Sequence, residues 1–407
     1  MTVDGGATSR LRNRAVGALV VAACTSGSGF LVAIAVARVS TVDETGRFAI
    51  AAATIVLLTA FARSAVTDPL VVHPSGSPEL RKLGRASVLG LGGAVVTGAA
   101  AVLLRSEYLF VGALALHGIT LRECARAVLV GRGSARAAAS VEAVWLLAAA
   151  VSFGATTLGP WTAVTAFAVW AGTGSALGYA SCVWQRFDVV PRWRATPVPT
   201  SRSVAFAADT LIGSGVVQLV TWVATAIGGL SVAAALRGAG TLAGPVTVGL
   251  GAVRSLLIPR AVSRLTDGRG VRGLAGDTAV LCLVAAPALV VLAAAGSLPP
   301  SVGRALLGDT WPLVAPVLLC TAVELLFQLV ASVPESAHRA LGLSRRIVAL
   351  RTVSAVVRVP AAVAAAPFGI GALVATATVV TAVNAVAWWC SLLVVRHGSS
   401  PVRQPIR

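Results

Sequence analysis

Twelve stretches of this chain are long and apolar enough to cross a lipid bilayer, and they dictate the class of fold. A spanning helix needs about 20 largely apolar residues. Such runs occupy residues 15–37, 48–66, 86–104, 108–121, 137–157, 161–182, 204–227, 231–253, 278–295, 311–333, 347–366 and 370–395. The fourth is short before Arg122 and is expected to continue as helix through Val130. Charge is correspondingly scarce: 12% of the 407 residues are Asp, Glu, Lys or Arg, against about 25% in a soluble domain. That excludes a soluble enzyme, and a 57% hydrophobic content excludes disorder. The chain reads as an all-α polytopic membrane protein of about twelve transmembrane helices.

The basic residues give the orientation. Cytoplasmic loops concentrate Arg and Lys. With the N-terminus inside, the inner segments hold twenty-seven of the thirty-three basic residues, and the outer side holds only Arg38, Arg47, Arg105 and Arg304. Arg237 and Arg358 fall within spans. Both termini are therefore expected in the cytoplasm, in a multi-pass protein of the cytoplasmic (plasma) membrane. The formal charge of +18 is spread over seven short segments. A nucleic-acid footprint is one contiguous face, so no nucleic-acid partner is expected. Val21-Ala22-Ala23-Cys24 matches a lipoprotein cleavage box, but its apolar run is longer than a signal peptide's core of about 7–15 residues, so it reads as an ordinary first helix.

Several chemistries lack their residues. The six cysteines show no C-x-x-C, and the four histidines form no i, i+4 pair; these are the spacings of zinc and redox sites. The cysteines read as small packing residues. No metal site, no cofactor and no catalytic residue is assigned. A phosphate-binding loop with its lysine is missing, so any transport must run on a gradient or on the substrate's own. The longest outer connection, 296–309, is too short to fold as a domain.

Twelve spans invite a search for two parallel repeats of six. Gly27-Ser28-Gly29 returns as Gly213-Ser214-Gly215, Arg63-Ser64 as Arg254-Ser255, and Arg126-Ala127 as Arg339-Ala340, each at the equivalent topological place. This gives two six-helix lobes, 15–182 and 204–395, joined by a cytoplasmic linker at 183–203 and flanked by cytoplasmic tails at 1–14 and 396–407. The runs ARVSTVDETGRFAIAAA, FARSAVTDPLVV, LRGAGTLAGPVTVGLGAVRSLLIPRAV and HRALGLSRRIVALRTVSAVV resemble the polysaccharide-transporter branch of the multidrug/oligosaccharidyl-lipid/polysaccharide exporter superfamily, which includes oligosaccharide flippases. The resemblance implies a central cavity, alternating access and a lipid-linked oligosaccharide or related polymer precursor as cargo. Glycosyltransferases or a polymerase of the same pathway would then be partners, alongside the lipid bilayer itself.

Candidate cavity residues follow from helical spacing. Thr210, Ser214, Gln218, Thr221 and Thr225 share one face of the seventh run, and Thr321, Glu324, Gln328 and Ser332 share one of the tenth. The competing use of such stripes is hydrogen bonding between helices. Glu142 and Asp209 lie about 8 Å from an inner edge at 1.5 Å per residue, within reach of headgroup water. Arg237 lies about 9 Å from the outer edge and is a candidate for attracting anionic cargo. Asn384, near the middle of the last run, suits packing or a sugar contact equally. Glu324 and Arg358 fall at matching depths on consecutive antiparallel spans, and an unpaired charge there costs about 2.5–3.5 kcal/mol, so an ion pair is expected. Two other functions stay open beside the flippase: a multidrug or small-cation exporter of the same superfamily, and a membrane-embedded cell-envelope biosynthetic enzyme. A cation exporter should line its cavity with aromatics and acids, and Glu324 is the one deep acid.

Overall fold

A computed structural model describes residues 5–72, 81–193, 200–266 and 270–398. The middle of the expected linker (194–199), His73, Arg269 and most of the C-terminal tail lie outside these residues, as do the side chains of Arg10, Arg12, Arg14, Arg254 and Ser255. The elements are helical: α1 (Gly5–Val39), α2 (Val42–Val72), α3 (Gly84–Leu103), α4 (Glu107–Gly131), α5 (Ala135–Leu158), α6 (Ala163–Trp184), α7 (Thr200–Thr210), α8 (Val216–Gly228), α9 (Leu230–Thr266), α10 (Gly270–Ala295), α11 (Pro300–Leu307), α12 (Trp311–Val314), α13 (Leu318–Ala340), α14 (Ser344–Ala365) and α15 (Ile370–Gly398). The only strand-like pairing among the described residues is an isolated bridge, Lys82 with Asp188.

Nine segments satisfy length and hydropathy for a span among the described residues. Three long helices fall outside that set: α4, with Arg122, Glu123 and Arg126; α6, rich in Gly, Ser and Thr; and α9, which carries several arginines. With them the long helical segments among the described residues number twelve. The seventh span joins α7 to α8 through a single π-turn at Leu211–Gly215, and the tenth joins α12 to α13 through a 3₁₀ turn at Ala315–Val317. The fourth run does continue as helix to Gly131. The expected outer connection contains α11, a two-turn helix opened by Pro299 and Pro300.

Two compact units emerge, Met1–Leu242 with Pro299–Leu313, and Ala243–Leu298 with Val314–Arg407. In the first, α4 is the hub, packed on α2, α3, α5 and α6. It meets α6 at near-contact distance because both are glycine there. A Cβ on Gly178 would sit 1.9 Å from the Gly118 carbonyl oxygen, and one on Gly118 would sit 2.1 Å from Ser175 Oγ. With no hydrophobic drive between helices in lipid, small residues that admit such approach are what holds them together. An aromatic cluster, Phe48, Tyr108, Phe167, Trp170 and Trp145, fills the same core. At its other end, Leu83 N–H donates to Asp188 O (2.8 Å), and Asp188 N–H donates to Arg81 O (2.8 Å). The segment after α6 is thereby tied to the start of α3. In the second unit α13 packs against α10, α14 and α15. His338 is fully buried there, bonded to Pro334 O (2.7 Å) and Ser391 Oγ (3.0 Å), a packing role.

Candidate functional site

Helices α2, α8 and α9 line a half-open cavity of about 240 Å³ in the first unit, mostly apolar with three polar side chains. Gln218 and Thr221 from α8 line it together with Arg237 from α9. Their backing is small: Ala49 and Ala53 of α2, and Ala233 and Gly240 of α9. The guanidinium of Arg237 lies over the Phe48 ring, 5.3 Å from its centroid, an arrangement that favours a cation. Its Nε is buried without a hydrogen-bond partner, and no carboxylate among the described residues pairs with it. The sequence placed Arg237 within reach of outer water; the structure puts it in a cavity wall, because α9 turns it toward α2 and α8. A desolvated, unpaired guanidinium presents parallel N–H donors that match a carboxylate or a phosphate.

Ser214 does not join this lining. The π-turn at Leu211–Gly215 adds a residue to one helical turn, so positions before it no longer stack over those after it, and Ser214 is exposed. Thr221 and Thr225 donate to carbonyls of their own helix, Val217 O (3.1 Å) and Thr221 O (2.6 Å). The Gly-Ser-Gly echo also diverges: the first copy runs as unbroken α-helix within α1, and only the second forms a π-turn.

In the second unit the structure brings Glu324, Gln328 and Arg358 together. Arg358 Nη2 donates to Glu324 Oε1 (2.7 Å), as does Gln328 Nε2 (3.3 Å). A third group, the Thr381 hydroxyl of α15, donates to Ala377 O one turn back (2.8 Å) and lies 3.2 Å from the same Glu324 oxygen; it escaped the sequence reading because nothing in the local pattern shows which face of the last helix meets α13. All three groups converge on one carboxylate oxygen. Arg358 Nε is buried without a partner, so this group too has donor capacity left. Asn384 lies one turn beyond Thr381 on α15, half-buried. Thr321 and Ser332 bond back to Val317 O and Leu329 O, and Gln328 bonds to Glu324 within α13, so Glu324 is the member of that stripe that reaches other helices.

A larger network lies in the first unit. Arg122 Nη1 donates to Glu142 Oε1, and the pair is 3% and 0% exposed. The Thr25 hydroxyl donates to Glu142 Oε2 (2.8 Å) and accepts from Arg126 Nη1 (3.2 Å). Glu123 pairs with Arg126 and with Arg63 Nη1 (2.9 Å), whose Nε reaches Asp68 (3.7 Å). The Arg122 guanidinium stacks on Trp145, 3.5 Å from the ring centroid. This corrects the expectation that Glu142 reaches headgroup water: α4 runs on inside the protein, and its charges face α1, α2 and α5. Asp209 is half-buried and also holds a partner. Three arginines meet three carboxylates here, so the network is neutral and serves as a staple between helices.

An architecture of long apolar helices, nine of them long and apolar enough to cross a membrane among the described residues, defines a class of fold, that of the helical polytopic membrane proteins. No family model and no curated protein matches the sequence. Solved structures do. A MOP-superfamily transporter from Pyrococcus furiosus, whose reversed binding-pocket polarity suggests a different function, superposes with a TM-score of 0.59 at 15% identity, covering 95% of each chain. A multidrug-resistance MATE-family transporter of the MOP superfamily is similar in its outward-facing form (TM-score 0.59, 15% identity, 96% of this chain and 97% of that one) and in its inward-facing form (0.58, 15%, 95% and 96%). The chain shares its fold with these transporters.

Proposed function

We propose that the protein is a secondary exporter that works by alternating access and that its cargo carries an anionic group received by Arg237. The observation that carries this is an arginine within an apolar helical segment, lining a cavity beside Gln218 and Thr221 without a carboxylate partner. An intramembrane charge in that state marks a substrate path by default. The solved neighbours include multidrug exporters, which supports a small-molecule exporter over the oligosaccharide flippase expected from the sequence. The flippase stays as a second reading on one observation: guanidinium, amide and hydroxyl lining together suit a phosphate-linked sugar. Under either reading the protein works in the cytoplasmic membrane with both termini inside.

The test is uptake by protein reconstituted in liposomes, with an anionic, a neutral and a cationic fluorescent drug and a fluorescent lipid-linked oligosaccharide. Transport of the anionic drug, lost in Arg237→Gln at unchanged yield, is the expected result. Movement of the oligosaccharide alone selects the flippase. Preference for the cationic drug, unaffected by Arg237→Gln, overturns the role of Arg237.

A further inference from the structure

Two stretches far apart in sequence are fastened together at one end of the first unit. Asp188 joins them through its bonds to Leu83 and Arg81, and Arg192 N–H donates to Gly84 O (3.5 Å). A Cβ on Gly84 would lie 2.6 Å from Val190 O, so glycine is what lets the two backbones close. The fastening puts Arg81, Lys82 and Arg85, at the head of α3, beside Arg186 and Arg192, which follow α6. Arg85 Nε donates to Trp193 O (2.5 Å), and its guanidinium lies 5.8 Å from the Trp193 ring centroid. Elsewhere on the side expected to be cytoplasmic, arginines meet carboxylates: Arg63 and Arg126 meet Glu123, Arg264 meets Asp277, and Arg351 meets Glu335. Among the described residues no carboxylate pairs with Arg81, Lys82, Arg85, Arg186 or Arg192. Asp188 gives its carboxylate to Val190 N–H (3.2 Å), and Glu79, the other acid near these stretches in sequence, lies outside the described residues.

An apolar groove adjoins this basic patch. It is half-open, about 380 Å³ in volume, and runs between α4 and α6, with Leu114 and Ala115 on one wall and Ala168, Gly172 and Tyr179 on the other. From Ala168 to Tyr179 it follows α6 for about 17 Å at 1.5 Å per residue, close to half of a hydrocarbon core about 30 Å thick. A polar chain joins its inner end to the foot of the patch. Tyr179 OH meets His117 Nδ1 (2.8 Å), His117 Nε2 meets Ser87 Oγ (2.9 Å), and Ser87 N–H donates to Leu83 O (3.0 Å). Val183, one turn past Tyr179 on the same helical face, and Trp184 are 79% and 70% exposed. Tryptophan is enriched where hydrocarbon meets headgroups. A soluble anion would use the arginines alone. The adjoining groove and the exposed tryptophan fit a molecule that is anionic at one end and apolar for the depth of one leaflet.

We propose that this end of the first unit holds an anionic phospholipid, its phosphate among Arg81, Lys82, Arg186 and Arg192 and an acyl chain along the α4–α6 groove. Basic clusters at a membrane surface attract anionic lipids electrostatically. The site does not involve Arg237, and its test reads binding alone, so it stands or falls apart from the proposed transport. Purified full-length protein in neutral detergent is titrated with phosphatidylglycerol or phosphatidylcholine of identical chains, and bound lipid is counted by native mass spectrometry. Phosphatidylglycerol should bind about tenfold tighter. The triple variant Arg81→Gln, Lys82→Gln, Arg186→Gly should lose that preference. Arg81 and Lys82 are exposed, and Arg186 sits at φ 53°, a left-handed position that glycine takes without strain, so the variant should fold as well as wild type. Arg136→Gln, Arg345→Gln, Arg346→Gln removes the same charge from other exposed sites and should keep the preference; an equal loss there would mean that net charge alone acts, and overturns the site. A phosphatidylglycerol carrying a diazirine in its acyl chain should, on illumination, label segments 111–115 and 168–179 of the unaltered protein. Equal binding of the two lipids, or labels spread evenly over all helices, overturns the proposal. Displacement of the lipid by millimolar glycerol phosphate also overturns it and makes the patch a site for a soluble anion. Should the triple variant fail to fold, the two-lipid comparison and the labelling of the unaltered protein still decide.

Discussion

Removing one partner of the Arg122–Glu142 pair should destabilise the protein far more than removing both. Glu142→Leu strips Glu142 of its bonds to Arg122 and Thr25 and of the approach of Arg126 Nε at 4.0 Å. Arg122 is left as a charge that is 3% exposed, stacked on Trp145 but with its counter-ion gone. Solvent screens neither group, so the full cost of breaking a buried pair applies, about 3–5 kcal/mol. That corresponds to about two to four decades in the unfolding equilibrium at 1.4 kcal/mol per decade. In the double variant Arg122→Leu, Glu142→Leu neither charge needs solvation, and Arg126 keeps Glu123. Replacing a whole buried pair by apolar residues is often neutral or stabilising by about 1–4 kcal/mol, so most of the loss should be recovered. The assay is unfolding in mixed micelles over a denaturant series, read by tryptophan emission, for wild type, both single variants and the double. A Glu142→Leu cost under about 1 kcal/mol, or a double variant as unstable as the sum of the singles, would refute the reasoning.

Further outcomes follow from the same geometry. Glu324→Gln should lose transport at normal yield, whereas exchanging Glu324 and Arg358 should restore folding without activity; if the exchanged protein transports normally, the pair is only a staple. Gly213 has no atom within 4 Å of where a Cβ would stand. Gly213→Ala should therefore raise stability by up to about 1 kcal/mol through helix propensity alone, and a simultaneous loss of transport would identify the π-turn as a working bend; unchanged transport would dismiss it. In a cysteine-free background, Leu158→Cys and Ser297→Cys should react with an impermeant maleimide added outside, and Arg192→Cys should not. Outside labelling of Arg192→Cys would invert the topology. Leu158 and Ser297 are exposed, whereas a Cβ on Gly159 or Gly296 would lie within 2.8 Å of a carbonyl oxygen, making those glycines poor reporters.

What the sequence determined by itself is whatever a bilayer imposes one helix at a time. Span number follows from the length of each apolar run, and the continuation of α4 past Arg122 from its unbroken helical pattern. The Glu324–Arg358 pair was legible because depth along two consecutive antiparallel helices is a one-dimensional quantity, and matched depth brings them within reach. What depends on the angle at which a helix faces its neighbours was not legible. Arg122 and Arg126 obey the positive-inside pattern as any loop arginine would, and only the packing of α4 on α1, α2 and α5 turns them into partners of Glu142, Thr25 and Glu123. Ser214 left its expected stripe because a single π-turn changes the register, which spacing alone cannot show. The isolation of Arg237 is defined by what is missing around it. Only the tertiary structure decides that, since a partner's absence is a property of the neighbouring helices and not of the residue itself.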